Sequence, residues 1–126
     1  MKKRKSLHQE KKHLIRSCVP VFIFVGILWV VHLISYVTHF NLSVFGIMPR
    51  TIDGLPGILF TPFLHGGWLH LFSNSVPLLV LGTGIMYFYR DIALKVFIYT
   101  WLMDGLWIWA GARPVYHIGA SGLVYA

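Results

Sequence analysis

Apolar residues fall into three long stretches separated by short polar breaks. Residues 19–40 run for 22 positions without a formal charge. A bilayer's hydrocarbon core is about 30 Å thick, and a helix rising about 1.5 Å per residue needs about 20 residues to cross it. The stretch therefore predicts a membrane-spanning helix. It is too long for a cleaved signal peptide, and no small-x-small cleavage site follows it. A second span is predicted over 69–89, ending at Arg90-Asp91, and a third over 92–112, apolar except for Lys95 and Asp104. Residues 115–126 predict the start of a fourth helix. Twelve residues make only about 18 Å of helix, which does not cross, so the chain reads as stopping partway through that helix.

The connection 41–68 breaks the alternation of span and short loop. It reads NLSVFGIMPRTIDGLPGILFTPFLHGGW, with five glycines and three prolines interleaved with Leu, Ile and Phe. A loop of this length is functional or disordered, and this one is too apolar for disorder. It is expected to fold back into the membrane as a re-entrant loop. The fold class predicted is an all-α membrane protein, a helical bundle of about three full transmembrane helices plus the start of a fourth.

Composition agrees: 56% of the 126 residues are hydrophobic and 12% charged, against about 25% charged in soluble domains. Charge adds an orientation. Seven of eleven cations (Lys2, Lys3, Arg4, Lys5, Lys11, Lys12, Arg16) lie in the first sixteen residues. The net charge of +7 thus describes a basic N-terminal arm, residues 1–17, ahead of a membrane domain, 18–126. Its expected partners are anionic membrane lipids, with no nucleic acid. A cytoplasmic N-terminus places the arm with Arg90 and Lys95 inside and leaves only Arg50 and Arg113 outside, as the positive-inside rule requires. The expected location is a multi-pass cell (plasma or inner) membrane protein, with the loop 41–68 facing outward. The single cysteine, Cys18, permits neither an internal disulfide nor a zinc motif.

Two polar clusters stand out, because polar groups in membrane helices are costly and point to function. His65-Gly-Gly-Trp-Leu-His70-Leu-Phe-Ser-Asn74 opens the second span. His70 and Asn74, four apart, share a helix face. Hydrogen bonding between helices would explain the pair equally well. His65 and His70 could both ligate a metal, but no carboxylate or thiolate lies near enough in sequence to complete a shell, and neither metal nor cofactor is expected. The second cluster is Gly119-Ala120-Ser121-Gly122, opening the fourth helix. A serine in a first helical turn sits beside free backbone N–H groups, which stabilise an oxyanion. Close packing through Gly122 and Ala126 is the competing reading.

In order, His-x4-His-x3-Asn on the second span and Gly-x-Ser-Gly on the fourth resemble the rhomboid family of intramembrane serine proteases, bacterial type. GIMPRTIDGLPGILFTPFLHGGWLHLFSN and WAGARPVYHIGASGLVYA look like bacterial members over the same region. The resemblance implies Ser121 as nucleophile. It makes His70 and Asn74 side-chain donors to the oxyanion, beside the Ser121 backbone N–H. His65 would organise the re-entrant loop by hydrogen bonds, Gly119 and Gly122 would keep the approach to the serine open, and Tyr125 would stack on the catalytic histidine. Transmembrane segments of other proteins would be the substrates.

That histidine is the departure: the family's general base comes from a sixth helix, and no histidine follows Ser121 here. A serine without a base is a poor nucleophile, so the chain reads as a C-terminally truncated rhomboid, and the 126 residues alone are expected to be inactive. His117 is the poor substitute available. His32 and His39 are expected to be solvated or hydrogen-bonded within the bundle. Asp104 is expected to be neutral or hydrogen-bonded to a neighbour such as Thr100 or Trp107, and Lys95 to snorkel. Trp101, Trp107 and Trp109 are expected to pack or belt the interface. A catalytically inactive relative that binds transmembrane clients is the alternative. A histidine-lined transporter lacks the acidic or thiol partners it would need.

Overall fold

The computed structural model describes residues 6–125. Four of the arm's seven cations (Lys2, Lys3, Arg4 and Lys5), and Ala126, lie outside the described residues. Helix α1 runs over Leu7–Thr38, well ahead of the first apolar stretch. It begins early because Ser6 and Gln9 form a reciprocal capping box: Gln9 N–H donates to Ser6 Oγ (3.3 Å), and Ser6 N–H to Gln9 Oε1 (3.1 Å). No break separates arm from span at residue 17. The helix ends where His39 turns left-handed, at φ 54°.

Helix α3 (Trp68–Phe88) returns antiparallel against α1, and α4 (Arg90–Gly111) follows after the single residue Tyr89. α1, α3 and α4 are each long and apolar enough to cross a membrane. Val25 and Leu28 of α1 pack on Leu71 and Leu78 of α3 and on Ala120. Trp29 Nε1 donates to Ser75 Oγ at 3.0 Å, and His13 meets Tyr87 edge-on at 4.8 Å. The described part of the arm is thus a helix resting on the end of α3. His32 is buried edge-on against Trp68, at 4.5 Å. The opposite faces carry exposed Phe22, Ile23, Leu33, Ile34, Val80, Leu94 and Trp107. Such apolar outer surfaces suit lipid rather than water.

The connection between α1 and α3 is folded, not extended. It holds a 3₁₀ turn (Leu42–Phe45), the one-turn helix α2 (Gly57–Phe60) and a second 3₁₀ turn (Thr61–Phe63). Two indoles of α4 fasten it: Trp101 Nε1 donates to the Ile58 carbonyl and Trp109 Nε1 to the Thr51 carbonyl, both at 2.8 Å. Arg50 adds its backbone N–H to Trp109 O and its guanidinium to Ala112 O, both 2.9 Å. Trp101 and Trp109 are therefore hydrogen-bond donors to the loop, beyond the packing expected of them.

The fourth helix departs from expectation. Residues 115–120 are not helical, and α5 covers only Ser121–Tyr125. Pro114 blocks helical continuation from α4. His117 instead pairs antiparallel with Ile47, through His117 N–H to Ile47 O (2.9 Å) and Ile47 N–H to His117 O (3.0 Å). The backbone leaves this pairing at Gly119, whose φ of +110° ends the extended run and lets the helix start at the serine.

Candidate functional site

His70 lies in the first turn of α3 and Asn74 one turn further. Asn74 is buried, and its Nδ2 has no hydrogen-bond partner among the described residues. Both side chains face the backbone at Gly119. A Cβ placed there would come within 2.6 Å of His70 Cε1, 2.7 Å of His70 Nε2 and 3.6 Å of Asn74 Nδ2. Only Ala120, fully buried, separates this contact from Ser121, the first residue of α5. The two motifs, some fifty residues apart in sequence, thus meet at one end of the bundle. Ser73, beside them in sequence, returns its hydroxyl to the Leu69 carbonyl (2.8 Å) and is exposed.

Ser121 is half-buried, and its hydroxyl makes no hydrogen bond among the described residues. His117 is committed elsewhere: its Nε2 lies 3.0 Å from the Arg113 carbonyl. Gly122 lies directly against the Asp104 carboxyl group of α4, where any Cβ would overlap it. Asp104 makes no bond to Thr100 or Trp107; a glycine on the next helix, α5, supplies its room. Tyr125 is exposed and stacks on nothing among the described residues.

His65 is buried beside His70, ring centroids 5.1 Å apart and planes at 65°. Burial, then the neighbouring His70, lowers its pKa to about 4. The Phe63 backbone pulls the other way but does not meet hydrogen-bond geometry, and His32 lowers it further. Neither ring nitrogen has a hydrogen-bond partner among the described residues. His65 therefore meets the site through ring packing, as a neutral imidazole, without the hydrogen bonds anticipated for it. Among the described residues no group of three or more His, Cys, Asp or Glu is placed to hold a metal.

A family model described as Rhomboid domain matches residues 53–126, from the re-entrant loop through the serine. The chain belongs to the rhomboid family. This rhomboid is 39% identical over 116 residues to uncharacterized proteins of Mycobacterium tuberculosis and Mycobacterium bovis, covering 83% of this chain and 46% of theirs. An uncharacterized Mycobacterium leprae protein is 35% identical over 119 residues, covering 85% and 45%. The rhomboid chain thus spans about half the length of the relatives it matches. No solved structure matches it.

One buried polar residue beside these side chains was not singled out in the sequence. Thr61, in the re-entrant loop, is buried and bonded to both partners of the Ile47–His117 pairing. Its signal was available: a lone hydroxyl in an otherwise apolar run, GILFTPFL, just before His65.

Proposed function

We propose that this rhomboid is an intramembrane serine endopeptidase, with Ser121 as nucleophile acting on transmembrane segments of other proteins. The observation that carries the reading is the contact of His70 and Asn74 with Gly119, two residues before a serine that opens a helix. An attacking Ser121 oxygen turns a peptide carbonyl into an oxyanion. The Ser121 N–H, in the first turn of α5, and N–H groups of His70 and Asn74 are then its donors. Collapse of that intermediate expels the amine and leaves an acyl-serine, which water hydrolyses. The proton leaving Ser121 needs an acceptor, and among the described residues none is bonded to it. The family resemblance assigns that role to a histidine on a later helix. With the basic arm cytoplasmic, the site opens toward the outer side of a cell membrane. Residues 1–17 then act as a basic extension toward anionic lipid heads, and 18–126 as the membrane domain.

The test is labelling of the full-length protein by a fluorophosphonate, alongside cleavage of a membrane-anchored reporter. Labelling that Ser121→Ala abolishes supports the reading; cleavage that survives Ser121→Ala ends it. A client-binding, inactive relative is the second reading. It predicts reporter capture without cleavage.

A further inference from the structure

We infer that Thr61 is a positioning residue for the serine, a clamp that sets the segment leading into α5; this rests on the proposed reading of Ser121. Its hydroxyl accepts the Ile47 N–H (3.1 Å) and donates to the His117 carbonyl (3.1 Å). Its own carbonyl accepts the Gly119 N–H at 2.9 Å. One buried side chain and its backbone thus hold three segments: the loop at Ile47, the turn that delivers His65, and residues 117–119. Gly119 is the residue against His70 and Asn74, and only the fully buried Ala120 lies between it and Ser121. Wherever Thr61 fixes Gly119, the serine follows.

The hydroxyl is not needed merely to satisfy the backbone. Ile47 N–H and His117 O already bond each other at 3.0 Å, so each keeps a partner when the hydroxyl is removed. Valine, of the same shape as threonine, therefore orphans neither group. What it removes is the lateral tie that fixes the Ile47–His117 pairing to the turn at Thr61. A displacement of about 1 Å in a reacting group costs about 100-fold in rate, so a small shift of residues 117–119 is amplified at Ser121.

The experiment uses the full-length protein in detergent micelles as wild type, Thr61→Val, Thr61→Ser and Thr61→Ala. It reads the maximal rate and half-saturating concentration of fluorophosphonate labelling, and amide hydrogen exchange. The clamp predicts that Thr61→Val lowers the maximal rate about 10- to 100-fold at unchanged half-saturation. Thr61→Ser stays within about threefold of wild type, because it keeps the hydroxyl that the tie requires. Exchange over 115–120 accelerates in Thr61→Val while α1 and α3 keep wild-type protection. Wild-type labelling by Thr61→Val, or loss of protection throughout the bundle, overturns the inference. If Thr61→Val does not fold, Thr61→Ala takes its place under the same criteria. If wild type itself is not labelled, the protease reading fails, and exchange over 115–120 decides the clamp alone: local acceleration upholds it and unchanged exchange refutes it.

Discussion

Replacing Gly119 with alanine tests the site most directly, because a single methyl group meets two separate obstacles. The first is conformational. A φ of +110° lies where residues bearing a Cβ are strained, at about 1–3 kcal/mol. The second is steric. The methyl would sit 2.6 Å and 2.7 Å from two atoms of the His70 ring, where ordinary carbon contacts are about 3.5–4.0 Å. The ring must retreat by about 1 Å, which takes one proposed donor off its target; loss of one such donor costs about 100- to 1,000-fold in rate. Thermal unfolding in detergent measures the first effect and fluorophosphonate labelling the second. The double variant Gly119→Ala/His70→Ala separates them: removing the ring relieves the steric part and leaves the conformational part. The singles should therefore be non-additive in unfolding free energy, with a coupling of about 0.5–3 kcal/mol. Wild-type stability and labelling in Gly119→Ala, or strict additivity in the cycle, would refute the placement of His70 against this backbone.

Gly122→Ala forces the Asp104 carboxyl group aside and should lower the thermal midpoint; Asp104→Ala in the same chain should restore much of it, and a midpoint unmoved by Gly122→Ala would contradict the contact. His65 makes stability fall in acid. Its folded pKa of about 4 lies below the ordinary histidine value of 6.5, so the fold holds the neutral ring. Its contribution is complete above pH 6.5 and declines as pH falls toward 4. A thermal midpoint followed from pH 7.5 to 4 should show this decline, and His65→Phe should flatten it. Trp101→Phe removes the bond to the Ile58 carbonyl and should cost about 1 kcal/mol, with faster exchange in α2; unaltered α2 protection would argue against that tether.

Hydropathy alone located the three spans, since a membrane helix must be apolar along most of its length. It could not show that α1 starts at Leu7, because its first turns are polar and are set by the Ser6–Gln9 cap. The meeting of His70 and Asn74 with Gly119 was legible only through the two motifs taken together; neither predicts the other's position. The backbone entering Ser121 was misread as helix. Helical spacing over 115–126 carries no trace of a pairing with Ile47, which depends on the loop folding back some seventy residues earlier in the chain. Thr61 was overlooked for the same reason, since its partners at Ile47, His117 and Gly119 converge only in three dimensions. Asp104 was recognised as costly, yet its neighbour was sought on its own helix and lies on another.

The seat of Asp104 bears on how this protein is made. A carboxylate at mid-span lowers the tendency of a nascent segment to partition into the bilayer, by about 2.5–3.5 kcal/mol on translocon insertion scales. α4 enters with that handicap, and the partner fitted to it, Gly122, emerges from the ribosome later. Until α5 docks, the acidic group lies beside the loop residues Ile58 and Pro62 without Gly122 against it. Sheltering of the Asp104 side chain and placement of Ser121 are therefore one coupled event, since both depend on how α5 docks.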